Sequence, residues 1–183
     1  MKNYKISLAG DLGSGKSTIG EMLTAKYRLE KVSIGSIQRE MAKNMNMNTY
    51  EFNKYMSTHP EFDNILDTKL SEYENIDGNF LFDSRLAWHF VPSSFKVYMK
   101  VSVQVAGERI FKEGRSEEKY LSVEDAVDKL KKRRGCEKER FLQTYGVDIT
   151  DLSNYDLVVD TENKSVEEVF NEVCKAFETW INN

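Results

Sequence analysis

Gly10-Asp11-Leu12-Gly13-Ser14-Gly15-Lys16-Ser17, followed by Thr18, decides how the rest of the chain is read. The stretch fits G-x-x-x-x-G-K-[ST], a phosphate-binding loop. Glycines at the fixed positions let the backbone curl so that successive N–H groups face an anion. Lys16 brings a positive charge to the outer phosphates, and Ser17 offers a hydroxyl oxygen to magnesium. Average residue usage puts a chance match in a chain this long below about one in a hundred. The flanks agree with the motif. Tyr4 to Ala9 alternates as a strand does, and Ile19, Met22, Leu23 and Tyr27 share one face of a helix starting near Lys16. Strand, loop and helix in that order predict nucleoside triphosphate binding by Gly10, Asp11, Leu12, Gly13, Ser14, Gly15, Lys16, Ser17 and Thr18.

Working outward, the 183 residues are 40% hydrophobic and 31% charged, as expected for one globular domain, here 1–183. A net charge of −4 gives no global basic field for nucleic acid or membrane. Two cysteines, Cys136 and Cys174, form neither a disulfide framework nor a zinc site and fit a reducing cytosol. The expectations are a cytoplasmic monomer that binds small-molecule nucleotides and neither nucleic acid nor membrane.

Lys31-Val32-Ser33-Ile34 reads as a second strand. Thr49 is the expected N-cap of a helix through Ser57, and His59-Pro60 restarts a helix to about Glu74. These residues exceed what a strand-helix-strand crossover needs, so 36–76 reads as a helical insertion over the active site, with two extra packing helices as the alternative. Asn79 to Asp83 is a buried strand ending in an acid, followed by Ser84 and Arg85. Ligands bind beyond the carboxyl ends of parallel strands, which puts Asp83 and Arg85 beside the loop. Asp83 is a candidate magnesium ligand or acceptor-orienting group, and Arg85 a phosphate ligand. The alternative makes Asp83 a helix cap and Arg85 a surface residue.

Phe95 to Val101 and Tyr155 to Asp160 complete a five-stranded parallel sheet with helices on both faces. Ser102 is expected to cap one helix, Ser122 to open a long one in a capping box with Asp125, and Ser165 to open the last. Arg133, Glu137 and Arg140 on the long helix are spaced to share one side. Two guanidiniums braced by a carboxylate suit a transferring phosphoryl group, while a basic run is as commonly a solvated face; spacing leaves these two readings open. With the charged stretch before it, which contains Arg115, this helix makes 112–140 a candidate lid. Cys174 belongs to the final apolar stripe, Cys136 is expected to be exposed, and Trp88 to be a packing residue.

The ordered series Gly10 to Thr18, Ser33 to Ala42, Glu51 to Tyr55, Asp83 to Ala87, Glu108 to Ile110, Arg133 to Arg140, Tyr145 to Ile149 and Tyr155 to Thr161 resembles the nucleoside monophosphate kinases, and most of all the short archaeal-type cytidylate kinases. That resemblance implies a P-loop kinase fold with an acceptor-binding helical insertion and a helical lid. It implies transfer of the ATP γ-phosphoryl group to CMP or dCMP with magnesium. Arg39 and Arg85 then hold the acceptor monophosphate, Arg133 and Arg140 engage phosphates near the lid, Asp83 is the strand-end acid, and Lys16, Asp83, Arg133 and Arg140 form the catalytic set. Ser84 stands where the family has Gly, the stretch Lys112 to Leu121 is longer than usual, and Trp88-His89-Phe90 is not the usual continuation. Two other readings stay open: a P-loop kinase for another small-molecule acceptor, and a non-catalytic ATP-binding module, since Gly-Asp-Leu-Gly also occurs in helper ATPases.

Overall fold

The computed structural model describes residues 3–114 and 120–182. The expected lid therefore falls partly outside the described residues, Arg115 included.

Five parallel strands form one sheet in the order β2-β3-β1-β4-β5. They are β1 Lys5–Gly10, β2 Glu30–Ser33, β3 Phe80–Asp83, β4 Phe95–Lys100 and β5 Leu157–Asp160. The two-residue period of a strand explains how both faces are covered. Leu81 faces one layer with Ile6, Leu8, Val97, Met99 and Val159. Its neighbours Phe80 and Phe82 face the other layer with Val32. The first layer is closed by α1 (Lys16–Tyr27) and α8 (Val166–Trp180), through Ile19, Leu23, Val169, Val173, Cys174 and Phe177. The second is closed by α2 (Ile34–Asn44), α3 (Thr49–Met56) and α4 (Pro60–Glu72), through Ala42, Phe52, Met56, Leu66 and Leu70. A short α5 (Ala87–Phe90) follows β3. The long α7 (Val123–Tyr145) packs on α6 (Val103–Glu113) and on α3.

Four local expectations are corrected. Ile34 is the first residue of α2 rather than the last of a strand, because Ser33 ends β2 and its hydroxyl accepts from the Ser36 N–H. The N-cap of α3 is Asn48, not Thr49: Asn48 accepts from the Glu51 N–H and Glu51 returns the bond to the Asn48 N–H, each at 2.9 Å. Ser122 caps α7, but Asp125 accepts from the Leu121 N–H instead of the cap residue's own, so no reciprocal box forms. Cys136 is half-buried, while Cys174 is buried in the core as expected. The capping box at Ser165 and Glu168 is present.

Parallel register brings the carboxyl ends of the strands together. Leu8 pairs with Asp83, Ser33 with Asp83 and Gly10 with Met99. The phosphate loop, the strand-end acid and the start of α2 thus open on one edge of the sheet.

Candidate active site

The loop between β1 and α1 is shaped by glycine. Gly10 has φ +149°, and a Cβ there would sit 2.3 Å from the Met99 carbonyl oxygen. Gly15, the N-cap of α1, is left-handed at φ 84°, and no side chain caps the helix. The first N–H groups of α1 therefore point at the cleft with the positive end of the helix dipole, a ready anion site. Ser14 Oγ is buried without a hydrogen-bond partner in the loop.

Two arginines grip the loop by its carbonyls. An Arg85 Nη donates to the Gly10 carbonyl. Arg109, on α6, donates to the Gly13 carbonyl at 3.2 Å and to the Thr161 and Glu162 carbonyls at 2.8 and 3.1 Å. Lys16 Nζ lies 3.3 Å from the carbonyls of Gly10 and Asp11. Burial, and after it the guanidinium of Arg85, pulls Lys16 down to about 8. Asp11 turns its carboxylate away from the phosphate side, toward the end of β4.

Lys16, Ser17, Thr18, Arg39, Asp83, Arg85, Arg133 and Arg140 all line one cleft of about 160 Å³. The cleft runs from the loop to α2 and α4, so the expected nucleotide-binding and acceptor-binding residues share a wall. Arg39 sits at its α2 side, with Nη2 3.0 Å from Ser36 Oγ. Ser84 is buried and its hydroxyl accepts from the Leu86 N–H, tightening the turn that carries Arg85. Trp88 is buried as a packing residue, and its indole N–H donates to the Arg85 carbonyl at 3.0 Å.

The spacing on α7 is realised only in part. Glu137 is buried and bridges two arginines: Arg133 Nε at 3.0 Å and Arg85 Nε at 3.1 Å. Burial alone would raise this carboxyl, but Arg85 and Arg133 outweigh it and hold Glu137 at about 2. Arg140, although on the same side of α7, does not share that carboxylate. It is buried against α3 and α4, donating to Asn53 Oδ1 at 3.1 Å and pairing with Asp63 at 3.4 Å. Burial also pushes Asp67, one turn along α4, up to about 6; its carboxylate accepts from the Tyr145 hydroxyl. Sequence spacing did not find Arg109, Asn53 or Asp63. The signal for Asp63 was there: it lies on the stripe of α4 that carries Leu66 and Leu70, where an unpaired charge is costly.

Magnesium fits this donor set. Among the described residues no group of three or more His, Cys, Asp or Glu could hold a metal. An ion carried on phosphates needs only one or two protein oxygens. The exposed Ser17 hydroxyl and the half-buried Asp83 both line the cleft.

A parallel sheet of this order with a glycine-lined anion loop on its carboxyl edge defines a P-loop kinase. The fold agrees with solved structures: shikimate kinase from Acinetobacter baumannii matches with a TM-score of 0.59 over 97% of this chain and 94% of its own, at 15% identity. More specifically, residues 5–163 match the model of the cytidylate kinase-like family, and the chain belongs to that family. It is 37% identical to the cytidylate kinase of Methanocaldococcus jannaschii, over 94% of this chain and 97% of that protein. It is also 37% identical to the cytidylate kinase of Pyrococcus horikoshii, over 90% of this chain and 83% of that one.

Proposed function

We propose that the protein transfers the γ-phosphoryl group of ATP to a nucleoside monophosphate, with CMP or dCMP as the acceptor. The observation that carries this reading is the shared cleft: an uncapped helix start with Lys16 at one end, Arg39 and Arg85 toward the acceptor side, and Arg133 and Glu137 between. Two arginines on the acceptor side suit a partner that already bears a phosphate, which favours a monophosphate over a neutral alcohol or shikimate-like acid. Membership of the cytidylate kinase-like family supports the cytosine base.

The loop N–H groups and Lys16 hold the β- and γ-phosphates of ATP. Arg85 and Arg39 draw the acceptor phosphate into line. An acceptor phosphate oxygen attacks the γ-phosphorus as the bond to the ADP oxygen breaks, so a nucleoside diphosphate and ADP leave. Such transfer asks for positioning and charge neutralisation more than for acid–base chemistry. Arg133 and Arg140 add positive charge where it builds up, and closure of a lid over 112–140 excludes water. Ser17 and Asp83 would hold magnesium, which supplies further neutralisation of the phosphate oxygens. The protein acts on free nucleotides, as a monomer, in the cytoplasm; among the described residues no helix is long and apolar enough to cross a membrane.

A coupled ADP-release assay over CMP, dCMP, UMP, AMP and GMP tests the reading. Fast ADP release with the two cytidylates is expected. Release with none of the five, accompanied by transfer to a sugar or shikimate-like acid, rejects it; ATP binding without any transfer selects the non-catalytic module.

A further inference from the structure

Asp11 puts a carboxylate inside the phosphate-binding loop. It is 8% exposed and fully engaged. Oδ1 accepts from the Tyr98 hydroxyl at 2.8 Å, and Oδ2 accepts from the Val101 N–H at 3.0 Å. The Asp11 N–H donates to the Met99 carbonyl at 2.9 Å, so backbone and side chain are both pinned to the end of β4. The third donor comes from elsewhere: Arg134 Nη1, on α7, reaches Oδ1 at 2.8 Å. Burial, and then the carboxylate itself, pushes Tyr98 up to about 12, so its phenol stays a donor.

Arg134 adjoins Arg133 on α7, and its side chain is 47% exposed while that of Asp11 is 9% exposed. The contact therefore joins a buried, fully hydrogen-bonded carboxylate in the loop to a half-exposed guanidinium on the helix. α7 is packed on α6, with Ala126, Val127 and Leu130 buried, and Glu137 ties it to Arg85; Arg134 adds a direct tie to the phosphate loop itself. Asp11 and Arg134 lie in the wall of a cavity of about 360 Å³ between α6, α7 and β4, and Arg85 and Glu137 form its far side. The ion pair is thus a link between α7 and the phosphate loop, with the cavity beside it.

Building on the phosphoryl-transfer reading, we propose that Asp11 and Arg134 are a positioning pair that sets where α7 delivers Arg133 and Glu137 over the phosphate loop. Arg134 also cancels the negative charge that Asp11 would otherwise present beside bound polyphosphate. A half-exposed ion pair adds little to stability. Misplacing a charge by an ångström can nevertheless cost up to about a hundredfold in rate. The pair thus acts on kcat more than on folding or on ATP affinity.

The test is a double-mutant cycle on the full chain, read as kcat, KM for ATP and melting temperature. Arg134→Ala is expected to lower kcat about tenfold or more, with KM for ATP within about twofold and melting nearly unchanged. Arg134→Lys, which keeps the charge, should recover most of the loss. Asp11→Asn keeps the shape of the socket and should give a similar loss, and adding it to Arg134→Ala should cost little more. Unchanged kcat in Arg134→Ala, a rise in KM for ATP alone, or full additivity of the two substitutions would overturn the proposal. If Asp11→Asn does not fold, the Ala and Lys variants at 134 still decide it. Wild-type transfer to CMP is the separate control on the reaction. Were another acceptor used, the cycle on that acceptor would keep the pair's role distinct from the identity of the substrate.

Discussion

The two walls of the cleft are built on opposite principles. The loop wall offers backbone N–H groups, and two arginines beside it, Arg85 and Arg109, spend donors on the carbonyls of Gly10 and Gly13. The α7 wall offers side-chain guanidiniums, each engaged by an acid or amide: Arg133 by Glu137 on the same helix, Arg140 by Asp63 on α4 and Asn53 on α3. One wall is preorganised by conformation, the other by charge compensation. Substitutions in the loop should therefore act on rate, and substitutions among the α7 partners on stability as well.

The largest effect expected is on the loop side. Lys16→Ala should lower phosphoryl transfer about a hundredfold or more while leaving thermal melting close to wild type, because one phosphate-facing charge commonly supplies a few kcal/mol to the transition state. Turnover assays beside a melting curve measure both. A variant that lost stability and rate together would erase the distinction between the walls.

Next come the compensating groups. Glu137→Gln leaves the half-buried Arg85 and Arg133 with a weaker partner, and should cost about 3 kcal/mol in a urea titration. The same group makes acid lability. Its folded-state value, about 2, lies below the ordinary value of 4.5, so its contribution is present above 4.5 and is lost as pH falls from there toward 2. Unfolding titrations across that window should show a steep fall for wild type and a shallower one for Glu137→Gln. Equal slopes would mean that Glu137 is not held by its two arginines.

The smallest effect lies outside both walls. Asn48→Ala removes the cap of α3, the helix that presents Asn53 to Arg140, and should cost about 1 kcal/mol with little change in transfer. A large loss of activity there would show that the acceptor-side helices tune the site directly.

The sequence made the loop wall readable because backbone chemistry leaves a local signature: glycines at fixed spacing, a lysine and a hydroxyl, between an alternating strand and an amphipathic helix. The strands were readable for the same reason, and their parallel ends put Asp83 and Arg85 in the same cleft as the loop. The α7 wall was harder. Helical spacing placed Arg133 and Glu137 together, but it could not tell that Arg140 would turn to Asp63, which is far along the chain. Arg109 and Arg134 gave no signal of their own either, because their partners, Gly13 and Asp11, look like ordinary loop positions until the fold brings them near. Even the small misreading at Asn48 has this character: Thr49 and Asn48 are both good caps, and the reciprocal bond with Glu51 chooses between them.

The most direct test follows the fate of the phosphoryl group itself. Wild-type protein is mixed with γ-labelled ATP and CMP, quenched within a turnover, and the products are separated. Label appearing in the nucleoside diphosphate, and falling sharply with Lys16→Ala, is the predicted result. Label found only in inorganic phosphate, at a rate indifferent to CMP, would contradict the account.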